Sequence, residues 1–464
     1  MTYFFETYGC QMNSAESAAL ALVLRERGWS AAENGEGADL VLLNTCSVRQ
    51  TAEQRVFGRL AQYRALKKKR RTLGQSFALV VAGCMAERLG EGLREKFDAV
   101  DYVMGTAARS VFPYILEILE QGRSSGSMNP ETDLSRDIAA ILTDEKPQFS
   151  FSTSHLEEDH SGKKSFTSFV PIMHGCNNYC SYCIVPYVRG REISRSPGSI
   201  MEEIRLLAER GVRAITLLGQ NVNSYRFEDT GVTDFPALLE LVAGETEKTP
   251  IRWVRFLSSH PKDLTDRTIQ VMAEHPVFCR HLHLCVQHGS NAVLAAMNRR
   301  YTREGYLELA GAIRQAMPGV TLSTDILVGF PGETEADLEC TLDLMERVRF
   351  HYAYMYHYNP REGTAAYDLP GRIEEAVKRE RLARVIALQK KHTQELLKQR
   401  IGSRETILIE GISRKNADEL IGRTERDEMV AVPGKASAIG RFARVNLSSL
   451  RGNTFRARGI DLLD

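Results

Sequence analysis

The chain has 464 residues, of which 43% are hydrophobic and 26% charged; these values exclude a mini-protein, wholesale disorder and a coiled coil, and the length suggests about three domains. With 60 Lys and Arg against 59 Asp and Glu the net charge is +1, so bulk charge identifies no nucleic-acid or membrane partner and any basic surface must be local. No basic segment followed by a long apolar run opens the chain and no apolar stretch approaches about 18 residues, so a soluble cytoplasmic protein with no membrane contact is expected.

In chain order, short apolar runs first alternate with helical patterns: Tyr3–Phe5, Ser14–Arg27, Asp39–Leu43, Thr51–Lys69 and Phe77–Val81. This βαβαβ order predicts an open parallel sheet within residues 1–120. Periodicity fades over 121–165 into Ser, Gly, Pro and acidic residues, the composition of a linker. A second alternation fills residues 166–400, with candidate strands Phe169–Met173, Ala214–Leu218, Ile251–Phe256, His281–Leu284, Val320–Val328 and Tyr352–Tyr356. Amphipathic patterns such as Ile200–Arg210, Leu264–Glu274, Arg303–Met317 and Glu335–Val348 lie between them. Six βα units predict a curved, partial (βα)6 barrel rather than a closed eightfold one.

A long helix follows over Glu374–Arg400; its segment Lys378–Arg400 carries eight Lys or Arg against two Glu, which suits either a solvated face or phosphate contacts. Residues 401–464 turn to short strands with Gly turns, a small β-barrel of the kind that grips nucleic acid. They hold eleven Lys or Arg against nine Asp or Glu. The fold class is therefore α/β throughout the first two domains, closed by a β-barrel.

The nine cysteines form an odd set on a long chain, which in a reducing compartment reads as metal or catalytic chemistry rather than disulfides. Cys176, Cys180 and Cys183 stand at C-x3-C-x2-C just after the first barrel strand. Three soft ligands on one loop suit a 4Fe-4S cluster whose fourth iron has no protein ligand; structural zinc, which prefers four closed ligands, and plain buried thiols remain open on spacing alone. Cys10, Cys46 and Cys84 are distant in sequence, yet each follows an apolar strand by one to three residues. Parallel strands end at one edge, so these thiols should converge where such sheets bind ligands; three independent core cysteines are the alternative. Cys279, Cys285 and Cys340 have no grouping and read as ordinary thiols.

With Tyr182 beside the cysteine loop and six βα units behind it, the barrel resembles the radical S-adenosylmethionine superfamily. The motifs Tyr8-Gly9-Cys10-Gln11-Met12-Asn13, Leu43-Asn44-Thr45-Cys46-Ser47-Val48-Arg49 and Gly83-Cys84-Met85-Ala86-Glu87 extend that likeness, over essentially the whole chain, to the radical methylthiotransferases, with a final segment similar to the RNA-binding TRAM domain. The resemblance implies two 4Fe-4S clusters, held by Cys176, Cys180 and Cys183 and by Cys10, Cys46 and Cys84. It also implies S-adenosylmethionine in two roles, methyl donor and radical source, bound at Gly219, Gln220 and Asn221 and along the stretch containing Asp325, Gly329, Gly332 and Glu333. Taken alone, these two stretches also suit a turn and the N-cap of a helix at Thr334.

Around Cys10 and Cys46 the likeness is strongest to the branch that methylthiolates C2 of N6-isopentenyladenosine beside the tRNA anticodon. Related branches act on threonylcarbamoyl-adenosine or a ribosomal-protein aspartate, and a non-enzymatic iron-sulfur or zinc RNA-binding protein is the remaining alternative. C2–H is neither acidic nor electrophilic, so radical chemistry is what such a reaction requires. The implied partners are the anticodon stem-loop, whose bases splay out where an A-form duplex hides them, and a low-potential electron donor such as flavodoxin or ferredoxin; the implied state is a monomer. The base would lie between the two open irons, with the N-terminal sheet over the barrel mouth.

Arg189, Arg191 and Arg195 suit cofactor or phosphate contacts as well as solvated or ion-paired surface. Tyr352, Tyr354, Tyr356 and Tyr358 alternate on one strand and favour core packing over base stacking. The run His283-Leu284-Cys285-Val286-Gln287-His288-Gly289-Ser290 departs from the family pattern, which leads one to expect proline near Cys285 and a small hydroxyl residue near His288.

Overall fold

A computed structural model describes residues 1–47, 50–90, 92–106, 111–125, 165–229, 231–414 and 416–463. They form two compact units. The first comprises the described residues of 1–164 with 174–177 and 184–193; the second comprises 165–173, 178–183 and those from 194 onward.

In the first unit, β1 (Thr2–Thr7), β2 (Ser30–Ala31), β3 (Leu40–Thr45), β4 (Ala78–Gly83) and β5 (Tyr102–Met104) form a parallel sheet in the order β2-β1-β3-β4-β5. The apolar runs of β3 and β4 are buried along their whole length, as expected for central strands covered on both faces. Helices α1 (Gln11–Glu26) and α5 (Phe112–Ser125) supply Leu24, Phe112, Ile115 and Leu116 to the face of Tyr3, Phe5, Leu42 and Val80. From α2 (Gln50–Thr72), Val56, Leu60 and Tyr63 pack on Val41, Leu43, Leu79 and Val81. Two further helices, α3 (Cys84–Leu89) and α4 (Gly92–Lys96), follow β4, and α6 (Val185–Arg189) belongs to this unit as well.

The sequence pattern finds β1, β3 and β4 but misses β2 and β5, two- and three-residue edge strands too short to show a period. Helix α5 continues through 121–125, where the expected linker begins; the rest of that linker, 126–164, lies outside the described residues.

In the second unit, β6 (Thr167–Pro171), β7 (Ala214–Leu218) and β8 (Trp253–Phe256) form one parallel sheet; β9 (His281–His283), β10 (Thr321–Val328) and β11 (Tyr352–His357) form another. Isolated parallel bridges Val254–Phe278 and Ser259–Leu284 continue the order from one sheet to the next, giving the six-stranded open barrel expected. Helices α7 (Pro197–Glu209), α8 (Phe235–Thr246), α9 (Asp266–Glu274), α10 (Asn291–Ala296), α11 (Arg303–Ala316) and α12 (Glu335–Val348) alternate with the strands. Thr334 caps α12 in a reciprocal capping box with Asp337.

After α13 (Glu375–Gln399), strands β12 (Arg404–Ser413), β13 (Asn416–Thr424), β14 (Met429–Pro433), β15 (Phe442–Arg451) and β16 (Thr454–Leu462) close a barrel in the order β12-β13-β14-β16-β15. It packs on the partial barrel within the same unit: Trp253 meets Phe442 edge-on at 4.9 Å, and Leu408 joins Ala214 and Cys279. Burial pushes the Cys279 thiol up to about 12, that of a core side chain. No described helix is long and apolar enough to cross a membrane.

Candidate metal centres

Strand register brings the first three thiols together. Thr45 on β3 pairs with Gly83 on β4, so Cys46 and Cys84 are the next residues of neighbouring strands. Thr7 pairs with Asn44 and the Tyr8 N–H donates to the Asn44 carbonyl at 2.8 Å, so β1 leaves the sheet at the same edge. Gly9, at φ 129°, then carries the chain over Cys46: a Cβ there would lie 2.5 Å from Cys46 Cβ, an approach only glycine allows. Cys46 and Cys84 are buried and Cys10 half-buried.

Two buried amides fix this edge. Asn13 Nδ2 donates to Asn44 Oδ1 and the Thr45 carbonyl, both at 2.9 Å, and Asn44 Nδ2 returns to the Asn13 carbonyl at 2.9 Å. Cys10 Sγ lies 3.2 Å from Asn13 Oδ1. The sequence motifs contain Asn13 and Asn44 but nothing in spacing assigns them this role.

Arg189 supplies the local charge. Its Nη1 pairs with Glu16 Oε1 at 2.6 Å, with the two side chains 3% and 5% exposed. Burial pushes the Cys84 thiol up, the Arg189 guanidinium pulls it down, and Glu16 and Cys10 push it up. Ile184 and Val188 pack on Cys84, while the Gly190 carbonyl, just past α6, accepts the Cys176 N–H at 3.2 Å. Arg189 is thus an interior ion-pair residue rather than solvated surface, and its Nη2 is buried without a hydrogen-bond partner. A missing acceptor beside three thiols fits an anionic thiolate-bound cluster. A single zinc ion fits less well: among the described residues the only His/Cys/Asp/Glu group with ligand atoms all within 4.8 Å of one another is His283, Cys285 and Asp325, so Cys10, Cys46 and Cys84 stand wider than one ion needs.

In the second unit the Cys183 N–H closes a turn on the Cys180 carbonyl at 2.9 Å. Arg299, buried and unforeseen from sequence, donates through Nη1 to Cys180 Sγ at 3.2 Å and through Nη2 to the Cys285 carbonyl at 2.8 Å. This places a buried guanidinium donor against a cysteine sulfur, as suits a sulfur-bound anionic group. Here too the residues fit a thiolate-bound cluster.

Gly219 follows β7, and a Cβ there would lie 2.5 Å from Met173 Cγ. Beyond it, Gln220 Oε1 and Asn221 Oδ1 are buried without partners, although Asn221 Nδ2 donates to Asp263 Oδ2 at 2.7 Å. Two orphaned acceptors suit a ligand ammonium group. The second stretch is more committed. Gly329, at φ 74°, makes room for Lys378, whose Cγ would meet a Cβ at 2.4 Å, and the Gly332 N–H donates to the Gly371 carbonyl at 2.9 Å. Glu333 is buried and accepts from the Phe330 N–H at 3.0 Å and Arg381 at 2.9 Å, with His288 Nε2 3.4 Å away. The Asp325 carboxylate faces Cys285 and His283. His288, where a small hydroxyl residue is expected, is fully buried and accepts the Ser290 N–H through Nδ1 at 3.0 Å.

The other expectations divide. Arg195 is an interior ion-pair residue bound to Glu203 and Ser199. Tyr352 stacks on His281 at 5.4 Å and Tyr358 packs on Phe330, whereas Tyr354 and Tyr356 are exposed, so core packing holds for only part of that strand. Of the eight cations of the basic segment, Lys378, Arg379, Arg381, Arg384, Lys391 and Arg400 are ion-paired with carboxylates. Most cations of this helix therefore already have carboxylate partners, as on a solvated, ion-paired face.

Comparison with known proteins matches residues 2–105 to "Uncharacterized protein family UPF0004", 170–345 to the Radical SAM superfamily and 398–459 to the TRAM domain. The chain is 49% identical over 472 residues to the tRNA-2-methylthio-N(6)-dimethylallyladenosine synthase of Treponema pallidum (strain Nichols), covering 98% of each. It is 50% identical over 462 residues to that of Treponema denticola, covering 98% and 99%. Among solved structures, the radical S-adenosylmethionine methyltransferase TsrM of Kitasatospora setae, with cobalamin and a [4Fe-4S] cluster bound, aligns with TM-score 0.57 at 15% identity over 79% of this chain and 74% of that one, which shows the shared fold. The chain belongs to the family of the tRNA-2-methylthio-N(6)-dimethylallyladenosine synthases, radical S-adenosylmethionine methylthiotransferases.

Proposed function

We propose that this enzyme replaces the C2 hydrogen of N6-dimethylallyladenosine in tRNA, beside the anticodon, with a methylthio group. The observation that carries the reading is the gathering of Cys10, Cys46 and Cys84 at one sheet edge, a second three-thiolate set in a chain that already carries C-x3-C-x2-C. When bound, two 4Fe-4S clusters and S-adenosylmethionine supply the radical and the methylthio group.

The chain's own residues hold and orient. Cys10, Cys46 and Cys84 hold one cluster, with Asn13 and Asn44 fixing the loop and Arg189 offsetting its negative charge. Cys176, Cys180 and Cys183 hold the other, with Arg299 against Cys180. Each set supplies three thiolates, so a four-iron cluster held there would have one iron without a protein ligand. Gly219, Gln220 and Asn221 receive the methionine ammonium of the cofactor. Gly329 and Gly332 present backbone to its adenosine, Glu333 acts by fixing the Phe330–Glu333 turn, and Asp325 contributes the backbone of β10.

We assign residues 1–120 to the first cluster, 166–400 to the radical barrel and 401–464 to tRNA binding, joined by the linker. A low-potential donor of the flavodoxin or ferredoxin type supplies electrons to a monomeric enzyme in the cytoplasm, where its tRNA substrate lies. The experiment is mass spectrometry of tRNA nucleosides from cells lacking the protein and from complemented cells. Loss and return of 2-methylthio-N6-isopentenyladenosine is expected; a level that does not respond refutes the substrate.

A further inference from the structure

Cys285 and His283 are used by neither cluster, and Cys285 stands where the family pattern leads one to expect proline. His283 ends β9, Cys285 lies two residues beyond it, and Asp325 sits on the adjacent β10, so strand pairing alone delivers the three side chains to one place. Cys285 Sγ lies 3.3 Å from His283 Nε2 and 3.4 Å from Asp325 Oδ2, and His283 Nε2 lies 3.7 Å from Asp325 Oδ2. Metal bonds of about 2.0–2.3 Å in a tetrahedron imply ligand–ligand edges of about 3.3–3.8 Å. All three observed edges fall in that interval.

The surroundings are those of a built site. His283 and Cys285 are buried. His283 Nδ1 is held by Ser323 Oγ at 2.9 Å, which fixes the ring and leaves Nε2 to coordinate, the arrangement of a metal-ligating histidine with an outer partner. The Cys285 backbone is fixed by Arg299 at 2.8 Å, and the carbonyl of Val286 by the Tyr301 hydroxyl at 2.6 Å. The Asp325 side chain, 29% exposed, marks the open side.

We infer that His283, Cys285 and Asp325 form a third metal site, for a single divalent cation of the zinc type. One imidazole nitrogen, one thiolate and one carboxylate oxygen are a borderline-soft donor set that suits zinc better than calcium or magnesium. Three protein ligands leave the fourth position for water or a ligand nitrogen or oxygen, as in catalytic rather than structural zinc sites. Binding releases the thiol proton.

The test uses the holoenzyme with both iron–sulfur clusters reconstituted. It is exposed to a small excess of Zn²⁺, desalted, and analysed for zinc and iron and by zinc K-edge X-ray absorption. The expected result is one retained zinc with a single sulfur and otherwise nitrogen or oxygen neighbours. Retention should fall at least tenfold in Cys285→Ala and His283→Ala with iron content unchanged. Cys285→Ser, which keeps the volume and the N–H donated to the Ser259 carbonyl at 3.2 Å, guards against misfolding and should lose zinc in the same way. No retained zinc, zinc that survives all three substitutions, or a sulfur-rich shell drawn from the cluster cysteines overturns the site. None of these readouts depends on the tRNA reaction.

Discussion

Arg189→Met in cluster-free protein isolates what the buried ion pair does for the first unit. The substitution keeps the volume and removes the charge, leaving Glu16 as a buried carboxylate whose partner at 2.6 Å is gone. Breaking a buried pair from one side costs about 3–5 kcal/mol, a large part of a typical total of about 5–15 kcal/mol. Adding Glu16→Gln removes the remaining charge of the pair, and the double variant should return to within about 1 kcal/mol of the parent, since a buried pair contributes little over a neutral replacement. Trp29, 4% exposed in the first unit, reports urea unfolding when the only other tryptophan, Trp253, is replaced by Phe in every protein compared. A single variant within about 0.5 kcal/mol of the parent, or a double variant no better than the single, refutes the reasoning.

Other outcomes follow from the same geometry. Gly9→Ala sets a Cβ 2.5 Å from that of Cys46 at φ 129°, so iron bound by the Cys10 set should be lost while that of the loop set remains, read by iron analysis. Glu333→Gln removes the carboxylate 2.9 Å from the buried Arg381, leaving it Glu335 at 3.8 Å, and should destabilise the second unit by about 1.5–3 kcal/mol in urea unfolding. Burial, helped by Arg299, Lys262 and Arg300, pushes His260 down to about 2 from 6.5. Between those values the unfolded chain binds a proton that the folded chain does not. Stability is therefore complete above pH 6.5 and falls below it by about 1.4 kcal/mol per pH unit; His260→Gln should flatten the unfolding midpoint between pH 6.5 and 5. Because Arg384 is engaged by Glu335 and Glu339, Arg384→Ala should leave tRNA affinity within about twofold, measured at fixed salt.

What the sequence made legible was the periodic part. Apolar runs marked the central strands β1, β3 and β4, and the position of each cysteine just past a strand was enough to place Cys10, Cys46 and Cys84 at one edge. The partners of that edge were not legible, because Asn13, Glu16 and Arg189 reach it through tertiary packing from elements 173 residues apart in the case of Glu16 and Arg189. Charge counting shows no partners for the same reason: the basic run of α13 meets carboxylates of α12 and its surroundings that lie far from it in sequence. Likewise Trp253 and Phe442 give no local sign that the last barrel packs on the one before it. The Cys285 departure was visible as an anomaly, but only the pairing of β9 with β10 gives it neighbours.

Anaerobic iron and sulfide analysis tests most directly for two separate three-thiolate clusters. Roughly eight irons per chain are expected, falling to roughly four when Cys10, Cys46 and Cys84 are all replaced by Ala and to roughly four when Cys176, Cys180 and Cys183 are. Stoichiometric zinc in place of iron, or an iron content that the first triple replacement leaves unchanged, would contradict the two-cluster account.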